Sequence, residues 1–397
     1  MARLLLWAAT ALLLPLALTP SALASPQPTT TFAPTTAQPS SGASPARADT
    51  ASPIACNNSP DLCSRAYSSI THMGAHDSAF VRDASTGYSL AGNQFYNATV
   101  ALSAGIRLLQ AQVHLSNGVL ELCHTYCSLL DAGPLDAWLA KIKAWLDAHP
   151  NDVVTLLLVN SDNQPADAFG AAFERAGIAA YAFTPGLPAN TTNTTSSSSS
   201  SSTANTATTW PTLQEMIATN ARLVTFIAPL GAPSAAHPYL LDEFAHVFET
   251  PYNITSSASF TCALDRPATD PPTAPLDALA AGRLPLLNHF AYVELSLAPQ
   301  VLVPDVGNID VTNDPGDNGS SSGNNNNNNN TGRALGEHLR RCAGEWQGRA
   351  PAFVLVDFFN RGPAVRAADR ANGIEPVGRE EVPSAAATVA AGRDGGV

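Results

Sequence analysis

Short apolar segments that alternate with helix-like segments constrain the fold of this 397-residue chain more than any other feature. Several are unbroken, such as residues 153–159, and unbroken apolar runs are typical of strands buried on both faces of a parallel sheet. Strands are predicted at residues 68–76, 105–114, 119–124, 153–160, 223–228, 246–250, 284–290 and 353–358. Eight strands interleaved with helices favour a single closed (β/α)8 barrel, with an open doubly wound sheet as the alternative.

Helix signals separate the predicted strands. Gly133-Pro134 begins a helix with proline at the first position, and Thr212 with Glu215 forms a capping box. No glycine-rich phosphate fingerprint follows a predicted strand, which argues against a dinucleotide-binding domain. Two apolar helix faces are expected in the core, one formed by Leu135, Trp138, Leu139, Ile142, Trp145 and Leu146 and the other by Leu335, Leu339, Cys342 and Trp346.

The ends of the chain predict secretion. Residues 1–24 have the positive start, apolar run and small-residue end of a signal peptide. Residues 25–52 form a Pro/Ser/Thr-rich disordered linker, 53–375 the barrel domain and 376–397 a flexible tail. Polar runs at 190–209 and 305–331 are predicted loop insertions within the barrel. The mature protein is expected outside the cell, in the medium or at the cell wall.

An even number of cysteines, six, favours disulfides in such a compartment. Short loops pair the first two and the next two cysteines, which leaves the last two for each other. A zinc site at Cys123, His124 and Cys127 is the alternative, which oxidation outside the cell disfavours. The predicted bridges are Cys56–Cys63, Cys123–Cys127 and Cys262–Cys342.

Charge and modification signals restrict the partners. The net charge is −12 and no basic patch is visible, so nucleic acid is not an expected partner. Nothing in the sequence indicates an obligate protein partner. Sequons for N-glycosylation occur at Asn57, Asn97, Asn190, Asn193, Asn253, Asn318 and Asn329.

Two histidines at the ends of predicted strands carry the strongest catalytic signal. His76 follows the first strand and precedes Asp77, and His124 ends the third. A phosphodiesterase that works without a metal needs one group to accept a proton and one to donate a proton, and histidine suits both tasks near neutral pH. His72 and His289 are expected to be structural, and His114 to be a surface or loop residue.

The carboxyl ends of barrel strands build the active site in this fold. Polar residues lie at or near seven of these ends and predict a polar ring over an apolar barrel: His76, Gln112, His124, Asn160, Glu249, Asn288 and Asp357.

The motifs at residues 74–78, 105–112, 122–124, 152–156 and 353–358 resemble the phosphatidylinositol-specific phospholipase C X-domain superfamily, in particular its secreted fungal PLC-like phosphodiesterases. The likeness runs from about Cys56 to Arg370. It implies a distorted TIM barrel and cleavage of a phosphoinositol or related lipid head group without metal or cofactor. It also implies transient contact with a membrane surface.

The resemblance implies a role for each catalytic residue. His76 matches the general base that deprotonates the inositol 2-hydroxyl, and His124 matches the general acid that protonates the leaving diacylglycerol oxygen. Asp357 matches the carboxylate that supports the base, and Asp77 the one that supports the acid. Gln112, Asn160, Glu249 and Asn288 are the predicted substrate-binding residues.

The sequence departs from the family at the second strand. Where bacterial members carry a phosphate-binding arginine and calcium-dependent members carry acidic ligands, this chain has Gln110 and Gln112. Glutamine cannot neutralise a phosphate and is a poor calcium ligand, and Arg107 lies on the opposite face of the strand. The alternative function is a weak or inactive barrel that binds sugar-phosphate or lipid head groups. A metal-dependent barrel ranks last, because Glu121 is the only nearby carboxylate.

Overall fold

The computed structural model of the chain describes residues 54–186, 210–295, 301–316 and 333–382. The predicted signal peptide, the linker, the insertion at 190–209, residues 317–331 of the second insertion and the end of the tail lie outside the described residues. The assignments made for those segments stay predictions. Residues 305–316 are described and, contrary to the predicted loop, include a short helix at Ile309–Thr312. None of the helices in the described ranges is long and apolar enough to cross a membrane.

Twelve strands occur in the described ranges. They are β1 (His72–Ala75), β2 (Leu108–Ser116), β3 (Val119–Cys123), β4 (Asp131–Pro134), β5 (Val154–Asn160), β6 (Leu223–Ala228), β7 (Leu240–Asp242), β8 (Val247–Glu249), β9 (Leu284–Asn288), β10 (Tyr292–Leu295), β11 (Val301–Pro304) and β12 (Phe353–Val356).

The same ranges contain nine α-helices and five short 3-10 helices. The α-helices are α1 (Ala98–Ser103), α2 (Leu135–Ala148), α3 (Ala166–Arg175), α4 (Leu213–Ala218), α5 (Glu243–His246), α6 (Pro275–Ala280), α7 (Ile309–Thr312), α8 (Leu335–Glu345) and α9 (Val365–Asn372). The 3-10 helices are Pro60–Leu62, Tyr67–Ser69, Ala84–Thr86, Ile178–Tyr181 and Ser257–Ser259.

Eight parallel strands form the central sheet in the order β7-β6-β5-β2-β1-β12-β9-β8. The order follows the chain around the sheet, and the first strand pairs with the last through His72↔Phe353 to Ala75↔Val356. A doubly wound sheet would instead reverse its order at a switch point. The sheet is therefore a distorted TIM barrel, as predicted. No ladder joins β7 to β8 within the described residues, and α5 connects these two strands instead.

One predicted barrel strand is wrong. Residues 119–124 form β3, which pairs antiparallel with β2 as a hairpin. The turn is Asn117-Gly118, with φ of 50° and 80°, and this residue pair favours a two-residue hairpin. The eighth parallel strand is β7, whose three residues are too few to show a periodic pattern. A smaller correction concerns Pro134, which is the N-cap of α2 rather than its first residue.

The predicted helix faces are confirmed. Both hydrogen bonds of the Thr212–Glu215 capping box form at the start of α4. The expected apolar faces of α2 and α8, including Trp346 just after α8, are buried in the core. Helix packing on the outside of the sheet thus follows directly from the sequence pattern.

All three predicted disulfides are present. Cys123–Cys127 closes a loop with three intervening residues, of which His124 is the first, and Cys262–Cys342 joins the segment before α6 to α8. Cys56–Cys63 fixes the start of the described chain. The zinc alternative at Cys123 and Cys127 is excluded, since both sulfurs are bonded to each other.

Candidate active site

The neighbouring ends of β1 and β12 bring His76 and Asp357 together. Ala75 pairs with Val356, so the next residue of each strand lies at the same level of the barrel mouth. The His76 backbone N–H donates to the Val356 carbonyl at 2.9 Å. As a result, His76 Nδ1 lies 2.8 Å from Asp357 Oδ1, and both side chains are buried.

Asp77 occupies the centre of the site. It is fully buried and has a left-handed backbone with φ of 46°, where the chain turns sharply after β1. Its Oδ2 atom lies 3.3 Å from His124 Nε2 and 3.6 Å from His76 Nε2. Gln112 Nε2 donates to the same oxygen at 2.8 Å. Three side-chain nitrogens, one from β2 and two from the residues that follow β1 and β3, therefore converge on one carboxylate oxygen.

The β2–β3 hairpin returns His124 to the mouth. The backbone N–H of His124 donates to the Leu130 carbonyl at 2.9 Å, and the Cys123–Cys127 bridge restricts the loop between them. Phe80 packs edge-on against the His124 ring, with the ring centroids 5.1 Å apart. Although β3 is not a barrel strand, its reversal places His124 beside the end of the barrel strand that carries Gln112.

Gln110 and Gln112 hold protein groups in place. Gln110 Oε1 accepts from the Asp77 backbone N–H at 2.6 Å. Gln112 Oε1 accepts from the Thr125 backbone N–H at 3.0 Å, while its amide nitrogen binds Asp77. Both glutamines thus fix the turn that carries Asp77, and Gln112 also anchors the loop of His124.

Sequence reasoning missed two buried amides, Asn93 and Gln94. Asn93 Nδ2 lies 3.0 Å from Asp357 Oδ1 and 3.2 Å from His76 Nδ1. Gln94 Nε2 donates to the carbonyls of His76 and Val356 at 2.7 and 3.1 Å. They belong to the irregular loop after β1, where no periodic pattern distinguishes a buried polar residue from an exposed one.

Aromatic residues after β9 complete the wall beside His76. The Phe290 ring stacks on the imidazole, with centroids 3.6 Å apart and planes inclined by 9°. The Tyr292 ring packs edge-on against the same imidazole, with the ring centroids 6.4 Å apart. These contacts hold the ring plane, so that Nδ1 points to Asp357 and Nε2 points to the centre of the mouth.

A second polar cluster lies at the ends of β8 and β9. Asn288 Nδ2 donates to Glu249 Oε2 at 2.9 Å, and Arg266 forms an ion pair with the same oxygen. Arg266 also lies over the Tyr252 ring, with Cζ 4.1 Å from the centroid. Glu243, at the start of α5, is buried beside Glu249. Burial and the negative charge of Glu249 raise the pKa of the Glu243 carboxyl well above its usual range.

Asn160 lies at the end of β5, as predicted, but its side chain bonds to backbone groups of its own loop and of the loop after β6. Its amide nitrogen donates to the carbonyls of Gln164 and Pro229, and its oxygen accepts from the Gln164 N–H. Arg107 lies far from the mouth. It forms a buried ion pair with Asp152, in which Nη2 and Oδ1 are 2.7 Å apart. No substrate role for Arg107 is compatible with this position.

Carboxylates determine the electrostatics of the His76 region. Burial opposes the charged imidazolium, but the charges of Asp77 and Asp357 outweigh it and raise the pKa of His76. Burial also raises the pKa of Asp357 despite its contact with His76. For Asp77, burial is outweighed by His76 and by the hydrogen bond and charge of His124, so its pKa is lowered. The site therefore favours an anionic Asp77 and a proton-accepting His76.

A cluster of potential metal ligands lies on α8 and in the segment before α6. One group of three potential ligands lies close together within the described part of the chain, namely Cys262, His338 and Cys342. Its two sulfurs form a disulfide, so they are not available as thiolates.

The family model and the named relative that match this chain indicate the same family. The PI-PLC X family model, described as PI-PLC X 1, matches residues 62–372. PI-PLC X domain-containing protein 1 of Arthroderma benhamiae is 35% identical over 327 residues, which cover 82% of this chain and 92% of that protein. An uncharacterized secreted protein of the same fungus is 33% identical over 308 residues, covering 77% of this chain and 60% of that protein.

Solved structures with a similar shape include two bacterial enzymes. Phosphatidylinositol-specific phospholipase C from Listeria monocytogenes aligns with 78% of this chain and 95% of its own, at 13% identity and a TM-score of 0.46. A structure of the Staphylococcus aureus enzyme aligns with 77% of this chain and 93% of its own, at 14% identity and a TM-score of 0.43.

Proposed function

This chain belongs to the PI-PLC X family, and we propose that it is a secreted phosphodiesterase that cleaves a phosphoinositol or related lipid head group by acid–base chemistry without a metal. The convergence of His76 Nε2, His124 Nε2 and Gln112 Nε2 around Asp77 Oδ2 carries the proposal. Two imidazoles so placed can act on opposite sides of one phosphate.

The first step transfers a proton to His76. Its Nε2 accepts the proton of the inositol 2-hydroxyl as that oxygen attacks phosphorus. Asp357, bonded to Nδ1, selects the tautomer with a free Nε2 and stabilises the imidazolium that forms. Asn93 donates to Asp357 Oδ1, the same oxygen that contacts His76 Nδ1, and so helps to hold the carboxylate beside the ring.

The second proton transfer comes from His124. As the phosphorus–oxygen bond to diacylglycerol breaks, His124 protonates the leaving oxygen. Asp77, whose Oδ2 lies 3.3 Å from His124 Nε2, stabilises the charged ring before this transfer. The product on phosphorus is a cyclic phosphodiester. Water then opens the ring with the histidine roles reversed, which returns both imidazoles to their starting state.

Phosphate charge is weakly compensated at this site. Gln112 offers a neutral amide, already bonded to Asp77, where a guanidinium would offer two charged contacts. Loss of such a contact is often worth about 10²–10³ in rate. Slow turnover is therefore expected. The same weak compensation of the phosphate charge also favours the second candidate, a head-group-binding barrel without significant turnover.

The head group is expected to contact the cluster of Glu249, Asn288 and Arg266, in which the Glu249 carboxylate can accept from sugar hydroxyls and the Arg266 guanidinium can donate to them. Of the other two predicted substrate-binding residues, Gln112 would act mainly by positioning Asp77, and Asn160 would have to release its loop contacts.

Exposed apolar side chains around the mouth, namely Tyr126, Leu129, Tyr252, Val293 and Leu302, suit transient contact with a lipid surface.

Secretion is supported by the three disulfides and by the relative named as secreted. Such bridges persist in oxidising compartments and are rare in the cytosol. Association with the cell wall remains part of the proposal.

The deciding experiment measures turnover by the purified protein of phosphatidylinositol, an inositol-containing glycolipid and a generic phosphodiester, with and without a chelator. Chelator-resistant turnover that His124→Ala abolishes would support the enzyme. Turnover that the chelator removes would contradict the metal-free mechanism. Binding of inositol phosphate without any turnover would establish the second candidate.

A further inference from the structure

Three of the N-glycosylation sequons, at Asn57, Asn97 and Asn253, fall within the described residues, and their asparagines differ in solvent exposure. Asn57 is buried and has a left-handed backbone with φ of 51°. Its Oδ1 accepts from the Val153 backbone N–H at 2.8 Å, at the start of β5. Only 8% of this residue is exposed, and a sugar on its side chain would compete with the bond to Val153. Modification of Asn57 therefore opposes formation of the native fold.

Asn97 and Asn253 have the opposite environment, since both side chains are exposed. Asn97 is the N-cap of α1, and its Oδ1 accepts from the Val100 N–H at 3.1 Å. This leaves the amide nitrogen, which is the atom that receives the sugar, directed away from the cap bond. Asn253 lies in the loop after β8, on the outer surface of the mouth.

The position of Asn253 relates it to the candidate site. The preceding residue, Tyr252, carries Arg266 over its ring. The following residue, Ile254, accepts at its carbonyl from the Tyr292 N–H at 2.8 Å, and Tyr292 meets the His76 ring edge-on. Two short chains of contacts thus join Asn253 to the Glu249 cluster and to His76. Tyr252, and Val293 next to Tyr292, are also among the exposed apolar residues.

We infer that Asn97 and Asn253 carry N-linked glycans in the secreted protein, that Asn57 carries none, and that the Asn253 glycan limits the approach of the mouth to a lipid surface. The second half of this inference rests on the proposed function. A hydrated oligosaccharide beside Tyr252 would separate the apolar rim from a bilayer, whereas a small soluble substrate would pass it.

The modification needs one co-reactant, an oligosaccharide carried on a polyprenyl diphosphate in the secretory pathway. The Asn253 amide nitrogen bonds to C1 of the first sugar as the bond from C1 to the diphosphate oxygen breaks. The amide loses one proton, and polyprenyl diphosphate leaves. The hydroxyl of Thr255 completes the acceptor sequence, as Thr99 does for Asn97.

Site occupancy is tested on the full chain secreted from a fungal host. Amidase release of glycans in heavy-oxygen water converts each glycosylated asparagine to labelled aspartate, which peptide mass spectrometry detects. Label is expected at positions 97 and 253 and absent at 57. Label at 57 in soluble, folded protein, or unlabelled Asn253, would overturn the assignment.

The effect of the Asn253 glycan on the approach of the mouth to a lipid surface is tested with Thr255→Ala, which removes the sequon and keeps Asn253. Thr99→Ala is the matched control. Thr255→Ala, and equally Asn253→Gln, should hydrolyse phosphatidylinositol in phosphatidylcholine vesicles several-fold faster. The turnover of a water-soluble inositol nitrophenyl phosphodiester should not change. Thr99→Ala should change neither rate, and an unchanged vesicle rate for Thr255→Ala would refute the access role.

If none of these proteins hydrolyses any substrate, the proposed enzymatic function fails, but the inference remains testable. Sedimentation with the same vesicles should then recover a several-fold larger bound fraction of Thr255→Ala than of the unmutated protein. Equal fractions would overturn the inference on this independent readout.

Discussion

Two pairs of histidines in this molecule are similarly buried but differ in chemistry. The mouth pair is His76 and His124, and the inner pair is His289 and His338, which lies between β9 and α8. In the inner pair the Nδ1 atoms are 2.9 Å apart, and His289 Nε2 donates to the Thr312 carbonyl at 2.8 Å. The hydrogen-bonding partners of the inner pair are backbone carbonyls and each other, whereas the mouth pair contacts the carboxylates of Asp77 and Asp357.

The pKa values respond to that difference. Burial lowers the pKa of His289 to about 4, and it lowers the pKa of His338 well below its usual range, with further help from neighbouring cationic groups. At the mouth, carboxylates outweigh burial and raise the pKa of His76. Burial alone therefore produces a structural histidine, while burial with carboxylate partners produces one that can exchange protons near neutral pH.

The sharpest test of this contrast compares His76→Ala with His289→Ala. We expect His76→Ala to lower kcat/KM by about 10³-fold or more, because a general base typically contributes roughly 10²–10⁴. His289→Ala should instead lower the free energy of unfolding by roughly 2–4 kcal/mol, since it leaves a cavity and an unpaired carbonyl. Steady-state kinetics and urea unfolding measure both effects. Full activity of folded His76→Ala would contradict the assignment of the site.

A second prediction removes one carboxylate from the mouth. Asp357→Asn should lower kcat/KM by about 10²-fold. It should also move the acid limb of the pH profile to lower pH, because the pKa of His76 loses one cause of its increase. Asp152→Asn is the matched control, since Asp152 pairs with Arg107 far from the mouth. Asp152→Asn should lower the free energy of unfolding and leave the acid limb of the pH profile unchanged. An unchanged acid limb in Asp357→Asn would show that His76 is not the base.

The structural histidines predict a pH-dependent stability. The pKa values of His72 and His289 are both lowered to about 4 by burial, from an unfolded value near 6.5. Between these values the unfolded chain binds more protons than the folded one, so stability is complete above about pH 6.5 and declines as pH falls towards 4. Each group contributes on the order of 3 kcal/mol.

Urea unfolding at a series of pH values measures this decline, to which His338 adds in the same direction. The raised pKa of His76 acts in the opposite direction. His289→Gln should flatten the curve, because glutamine can donate to Thr312 without titrating. A variant curve parallel to that of the unmutated protein would contradict the attribution to His289.

The smallest expected effect concerns Gln112. Gln112→Arg should tighten the binding of inorganic phosphate or inositol phosphate by up to about 10-fold, since a guanidinium adds a charged, bidentate donor. It would keep a contact with Asp77 and lose the acceptor for the Thr125 N–H. Gln112→Glu is the matched control and should weaken binding. Calorimetry that shows no difference between the two variants would place the phosphate elsewhere.

Much of the fold was predictable because apolar periodicity is a local property. The buried faces of α2 and α8, the capping box at Thr212 and seven of the eight barrel strands follow from it. The misassigned segment at 119–124 had its own local signal, the Asn117-Gly118 turn, which favours a hairpin. The three-residue strand β7 had none, because its pairing with β6 is what makes it a strand.

The sequence by itself determined the barrel, the disulfide pairs and the residue types available at the strand ends. Only the tertiary structure decided which of them act together. It placed Asp77 between both histidines, brought Asn93 to Asp357, engaged Gln112 with protein groups and left Asn160 bonded to backbone groups of two loops. The reason is physical: periodicity reports which face of an element is buried, whereas contacts between side chains depend on strand register, loop path and backbone direction, and distant parts of the chain set these jointly.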